Sequence, residues 1–219
     1  MNLVIMVDFD GTMVTIDTSE YLLDAFAPRD WRVIDEQLEK GEVTFKESLE
    51  REFAMLKVPE RTMIDALGPV TRFRPNFHEL IEYCGGNQFP IIVVSGGLDF
   101  CIRHFLRLKG WLDLMEICAP RAKCTDDGVT LTFPELLDQS SNNFKDDLVR
   151  SHKRNGERVV YIGNGLGDFP AAQISDLAFA IEGSRLAELC RIRGVACEEF
   201  TDFKQVVDSI TGSASSTSR

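Results

Sequence analysis

The sequence predicts an α/β fold, a doubly wound (Rossmann-like) parallel sheet with a helical cap inserted after its first strand. Three observations predict it. Apolar runs rich in β-branched residues at 2–7, 89–94 and 158–162 read as strands buried on both faces, with 177–181 a weaker fourth. Helical stretches alternate with them at 76–83, 98–108, 144–153, 169–174, 185–193 and 203–210. Residues 8–88 separate the first two strands, several times the length of about a dozen residues that a helical crossover requires.

Taken in order, the first strand stops at Asp8-Phe9-Asp10-Gly11-Thr12. The long segment after it reads as helices at 19–26, 31–39, 45–56 and 60–67, punctuated by Pro28, Gly41, Pro59 and Gly68-Pro69. Phe45, Leu49, Phe53 and Leu56 recur at helical spacing, the pattern of a buried stripe. Sign-alternating charges at 36–42 and 47–52 read as a solvated cap face. This divides the chain into a core (1–13 and 73–211) and a helical cap (14–72). Further on, 89–94 ends in Ser95-Gly96-Gly97, and 115–119 and 129–133 read as a strand or a hairpin around Asp127-Gly128. The strand at 158–162 runs into Gly163-Asn164-Gly165-Leu166-Gly167-Asp168. Residues 212–219, rich in Ser and Gly, have nothing to bury and predict a disordered tail.

Composition excludes several function classes. In 219 residues, 24 Lys and Arg stand against 35 Asp and Glu, and a net charge of −11 opposes binding to nucleic-acid phosphates or to an anionic membrane. No apolar run is long enough to span a bilayer, and the apolar start at 3–7 has neither a basic region nor a cleavage site, so a cytoplasmic protein is expected. Cysteines 84, 101, 118, 124, 190 and 197 form no C-x-x-C pair and read as buried thiols. His78, His104 and His152 lack metal-ligand spacing. Gly163-x-Gly165-x-Gly167 lacks the dinucleotide spacing, which argues against a nicotinamide cofactor.

In open parallel sheets ligands bind beyond the carboxyl ends of the strands. That edge collects Asp8 and Asp10, Ser95 with Gly96 and Gly97, and the Asn164–Asp168 loop. Two aspartates at the end of one buried strand repel each other unless a cation or proton offsets them, and an all-oxygen site without clustered His or Cys suits magnesium. Ser95 and the amides of Gly96 and Gly97 would cradle a phosphoryl group.

The four motifs Asp8–Thr12, Ser95, Lys145 and Gly163–Asp168 together resemble those of the haloacid dehalogenase superfamily, and a cap between the first two matches its phosphoserine phosphatase-like subclass. Phe26-Ala27-Pro28 with Trp31, and the run Ser95 to Phe100, are further similar to the methionine-salvage 2-hydroxy-3-keto-5-methylthiopentenyl-1-phosphate phosphatases of that subclass. The resemblance implies a Mg2+-dependent phosphatase for a small phosphorylated metabolite, acting as a monomer or homodimer. It makes Asp8 the nucleophile and Asp10 the general acid and base. Lys145 offsets charge, and Thr12, Ser95, Gly96 and Lys145 bind phosphate. Asp8, Asp10 through its carbonyl, and Asn164 hold the metal, and Asp168 supports. Asn164 stands where the family usually has Asp, which leaves open weaker metal binding, compensation by Asp168, or a phosphate-ligand binder that has lost catalysis. A phosphotransferase would share every motif. Gly167 is a milder departure. Phosphoserine itself is disfavoured, because the arginine that meets its carboxylate falls at Glu52. Asp17 is either a substrate contact or a helix N-cap.

Overall fold

The structure is a computed structural model that describes the backbone of residues 2–216 and the side chains of residues 2–212. Its centre is a six-stranded parallel sheet. β1 (Leu3–Val7) lies between β2 (Ile91–Val94) and β6 (Arg158–Gly163); β3 (Glu116–Cys118) flanks β2, and β7 (Leu177–Ile181) and β8 (Glu198–Phe200) extend the other side. The order β3-β2-β1-β6-β7-β8 reverses at β1, where the chain leaves toward β2 and later returns on the opposite side. The connections diverge at that point and open a crevice above the strand ends. Register aligns the motifs there: Val7 pairs with Val93 and with Ile162, so Asp8, Ser95 and the loop after Gly163 emerge side by side.

Alternation along β1 divides the core. Leu3, Ile5 and Val7 pack on one face with Phe77, Leu80 and Phe203, and Val4 and Met6 pack on the other with Val149, Tyr161 and Leu186. Both faces are covered by helices, as a parallel sheet requires.

Between β1 and β2 come α1 (Thr18–Phe26), α2 (Arg32–Glu39), α3 (Phe45–Phe53), α4 (Glu60–Leu67) and α5 (Phe77–Asn87). The two connections that enter and leave the first four are pinned together by the antiparallel bridge Val14↔Phe73 and by backbone bonds from Thr15 to Arg72 and from Arg74 to Met13, each 2.8 Å. α3 starts at Thr44, whose hydroxyl accepts from the Glu47 N–H while Glu47 accepts from the Thr44 N–H. After α6 (Asp99–Leu108) and β3, β4 (Arg121–Thr125) and β5 (Gly128–Thr132) form a separate antiparallel hairpin. Its turn presses on α3: a Cβ on Gly128 would lie 2.2 Å from the Ala54 carbonyl oxygen.

The remaining helices are α7 (Phe144–Arg154), α8 (Phe169–Ile174), α9 (Arg185–Arg193) and α10 (Phe203–Ser216). α10 corrects one expectation, because the helix continues through residues 212–216 instead of breaking into a tail; residues 217–219 lie outside the described residues. The hairpin expected around Asp127-Gly128 is present as β4 and β5, whereas β8, too short and polar to show an apolar run, escaped the sequence reading. Among the described residues no helix is long and apolar enough to cross a membrane.

Candidate active site

Asp8 closes β1, its N–H bonded to the Ile162 carbonyl at 2.9 Å. The chain then makes a wide five-residue turn, Phe9–Met13, in which Gly11 takes φ +66°. A side chain there would be strained, and its Cβ would lie 2.2 Å from Asn164 Nδ2. Arg74, just past the cap, holds this turn by donating to the Gly11 and Thr12 carbonyls at 2.7 and 2.9 Å.

The turn brings Asp10 back over the strand end. Its Oδ1 accepts from the Thr18 N–H at 2.9 Å and from the Thr18 hydroxyl, and Ser19 Oγ donates to Oδ2 at 3.4 Å. The first turn of α1 thus fixes the Asp10 carboxyl. Ser95 is fully buried, and its Oγ accepts from the Gly97 N–H at 3.1 Å, so its own proton is available to a ligand. That bond engages one of the two amides expected to cradle phosphate.

Lys145 enters from the second position of α7. Asn143 caps the helix by accepting from the Lys145 N–H at 2.7 Å, and its Nδ2 donates to the Gly167 carbonyl at 3.1 Å, tying the helix start to the loop after β6. The Lys145 ammonium, 3% exposed, donates to Asp8 Oδ1 at 2.9 Å and to Asp168 Oδ1 at 2.6 Å. Asp168 also accepts from the Tyr161 hydroxyl at 2.7 Å and from the Asn164 and Gly165 N–H groups at 3.0 and 2.9 Å. It is the anchor of the whole loop.

Two buried carboxylates, Asp8 and Asp168, therefore pair with one ammonium, and a third, Asp10, lies within its electrostatic reach. Burial pushes Asp8 up from the usual carboxylate range; Lys145 opposes this, and Asp168 and Asp10 add to it. Asp10 is likewise pushed up by burial, against its bonds from Thr18. Burial works to lower Lys145, but Asp168 and Asp8 outweigh it and hold the ammonium charged. This surplus of negative charge, offered by oxygen donors only, is the environment a hard divalent cation fits. Asp8, the Asp10 carbonyl and Asn164 could hold it. They supply only part of a six-oxygen shell, in keeping with magnesium's habit of retaining water and substrate oxygens. Among the described residues no three His, Cys, Asp or Glu side chains form a closed cage.

Asp8, Asp10, Asp17, Ser95, Gly96, Lys145, Asn164 and Asp168 all line one cavity of about 430 Å³ between the strand ends and the α1–α3 layer. Thr12 does not. It is fully buried, and its hydroxyl donates to Asn164 Oδ1 at 3.1 Å, so it orients Asn164 instead of facing a ligand. Asp17 is the N-cap of α1, accepting from the Glu20 N–H at 2.9 Å, and it also borders the cavity. Burial and the Asp10 charge push its carboxyl well up. The solvated cap face holds for most charged residues of 36–42 and 47–52 but fails at Glu52, which is 6% exposed and lines the cavity. Sequence reading missed Arg74, Tyr161, Thr18 and Asn143. Thr18, just before a predicted helix and one residue past Asp17, was the one with a legible signal.

Comparison with known proteins agrees with this geometry. Residues 5–173 match the family described as haloacid dehalogenase-like hydrolase. The chain belongs to that family. Its relatives include 2-hydroxy-3-keto-5-methylthiopentenyl-1-phosphate phosphatases of Bacillus pumilus, 26% identical over 94% of this chain and 91% of the relative, and of Geobacillus kaustophilus, 26% identical over 95% of each. Among solved structures, a phospho-aspartyl intermediate analogue of phosphoserine phosphatase superposes with a TM-score of 0.71, at 21% identity over 95% of this chain and 98% of the other. A substrate-bound phosphoserine phosphatase gives 0.72, at 21% identity over 95% and 97%. These structures share the α/β fold of this haloacid dehalogenase-like enzyme.

Proposed function

We propose that the chain is a magnesium-dependent phosphatase that hydrolyses a small organic phosphate monoester through an aspartyl-phosphate on Asp8. The observation that carries this is the buried Lys145 ammonium, 2.9 Å from Asp8 Oδ1 and 2.6 Å from Asp168 Oδ1, on the floor of a cavity that also presents Ser95. A carboxylate attacks a phosphate dianion only where their repulsion is offset, and Lys145 offsets it at the attacking group. When bound by Asp8, the Asp10 carbonyl and Asn164, magnesium would supply further positive charge to the phosphoryl oxygens.

The chain's own groups complete the cycle. Asp8 attacks phosphorus, the P–O bond to the ester breaks, and Asp10, held in place by Thr18 and Ser19, gives its proton to the departing alkoxide. Asp10 then takes a proton from water as that water attacks the phosphoryl group, breaking the bond to Asp8 and releasing phosphate. Burial, which keeps Asp10 protonated above the usual carboxylate range, favours the first transfer. Ser95 donates to a phosphoryl oxygen, and Thr12 steers Asn164.

Phosphate release from p-nitrophenyl phosphate over a magnesium titration tests the reading, with the ester named for the bacterial relatives assayed alongside. Saturable, chelator-sensitive release is expected, and Asp8→Asn should fall to background while keeping its melting temperature. Full activity in Asp8→Asn would overturn the mechanism. Release only from Asn164→Asp, and none from the chain itself, would make the protein a phosphate-ligand binder.

A further inference from the structure

The cavity has two chemically different ends. Its floor holds the Lys145 ion pairs, and its roof is acidic: Glu20 on α1, Asp35 on α2 and Glu52 on α3 all border it. Glu52 is the deepest of these, and its Oε1 is the one buried side-chain oxygen among the described residues without a hydrogen-bond partner. Burial and the neighbouring Asp35 charge push its carboxyl up to about 8. An orphaned buried acceptor of this kind costs stability unless a donor reaches it.

Nearby cations are engaged elsewhere. Arg32 pairs with Asp24 and Asp30, and Arg185 pairs with Glu39 and Glu188. A metal ion is a poor occupant, since no three acidic side chains among the described residues converge closely enough to hold one. A group with several N–H donors and one positive charge matches the roof: it can satisfy Glu52 Oε1 and offset the charge of the neighbouring Asp35. Trp31 and Leu23 line the same wall and would enclose a short alkyl stem.

We propose that this roof recognises a primary ammonium, so that the ester taken by the site carries an alkylammonium group on the far side from its phosphate. The ester half of this statement rests on the phosphatase reading; the ammonium half does not. A volume of about 430 Å³ accommodates a stem of a few carbons between the two ends.

The test is calorimetric titration of the full chain, with magnesium present, by 3-aminopropylphosphonate and by n-butylphosphonate. These are non-hydrolysable and alike in shape, and differ by an ammonium in place of a methyl. The amine should bind at least about tenfold more tightly, and Glu52→Gln should bring the two within about threefold of each other. Asp35→Asn, which removes a charge at the rim of the same pair, should narrow the ratio in the same direction and stands in if Glu52→Gln does not fold. Equal binding of the two ligands by the unaltered chain would overturn the proposal, and so would a tenfold preference retained in folded Glu52→Gln. Phosphate release from p-nitrophenyl phosphate, run in parallel, separates the two readings. Turnover without ammonium preference removes the subsite alone, and ammonium-selective binding without turnover removes the phosphatase alone.

Discussion

The floor and the roof of the cavity are both acidic, yet they are built in opposite ways. On the floor every carboxylate has partners: Asp168 accepts from Lys145, Tyr161 and two backbone amides, and Asp10 accepts from Thr18 and Ser19. On the roof Glu52 has one oxygen with no partner and one pressed toward another acid. A fully partnered network holds reacting groups still, whereas an unpartnered one gains most when a ligand arrives. On the proposed readings the chemistry belongs to the sheet loops and the selection to the cap.

The largest effect expected from breaking this contrast is at Lys145. Lys145→Ala leaves Asp8 and Asp168 facing each other without their cation, a loss of about 3 kcal/mol of stability if neither carboxyl takes up a proton. Activity should fall on the order of 10²–10³-fold in kcat, the size of effect seen when one preorganised electrostatic group is removed. Urea denaturation and phosphate release measure the two. A roof substitution with an equal effect on kcat would erase the distinction between the regions.

Why the floor was legible and the roof was not follows from how each is encoded. Asp8, Asp10 and Ser95 come at the ends of buried apolar strands, with Asp168 in the short loop after another, and an open parallel sheet delivers all strand ends to one edge. The four cap helices were readable from periodicity and punctuation, but periodicity reports only which face is apolar. Glu52 sits in a charged tract whose other members are exposed, and only the packing of α2 against α3 over the crevice buries it. Tyr161 was hidden for the reverse reason: inside an apolar strand its hydroxyl gives no sign that Asp168 waits in the loop beyond that strand's own end. Arg74 acts on carbonyl groups far back in the chain, a contact that no local pattern reveals.

Glu52 also offers a thermodynamic measure of the roof. Its folded value of about 8 lies above the ordinary value of 4.5, so the protonated form is the one the fold prefers. The stability this contributes is fully present below pH about 4.5 and is lost as pH rises through about 8. Glu52→Gln cannot ionise. Relative to the unaltered chain it should therefore be near neutral at pH 5 and more stable at pH 8, by about 2 kcal/mol once partial solvent access is allowed for. Floor groups titrate in both proteins and cancel in this difference. Urea midpoints at the two pH values check it, and a difference independent of pH would mean that Glu52 is ionised in the fold throughout.

The smallest effect probes the seam between the regions. Phe45, at the start of α3, reaches down to the floor: its ring lies 5.8 Å from the Lys145 ammonium and 6.3 Å from the Phe144 ring. Gly167 makes room for it, since a Cβ there would lie 2.4 Å from the edge of the Phe45 ring. This accounts physically for glycine at a position that looked like a mild departure from the family pattern. Gly167→Ala should push the ring aside. Because the colliding atoms are the far end of a partly buried side chain that can rotate, the cost should be only about 1 kcal/mol. The ring would then intrude on the cavity, so KM should rise with little change in kcat. If Phe45 is the sole obstacle, Gly167→Ala should cost nothing further in a Phe45→Leu background, where the ring edge is gone. Additive losses in that double-mutant cycle, read from melting temperatures and KM, would place the constraint in the loop itself and leave the cap seated by other contacts.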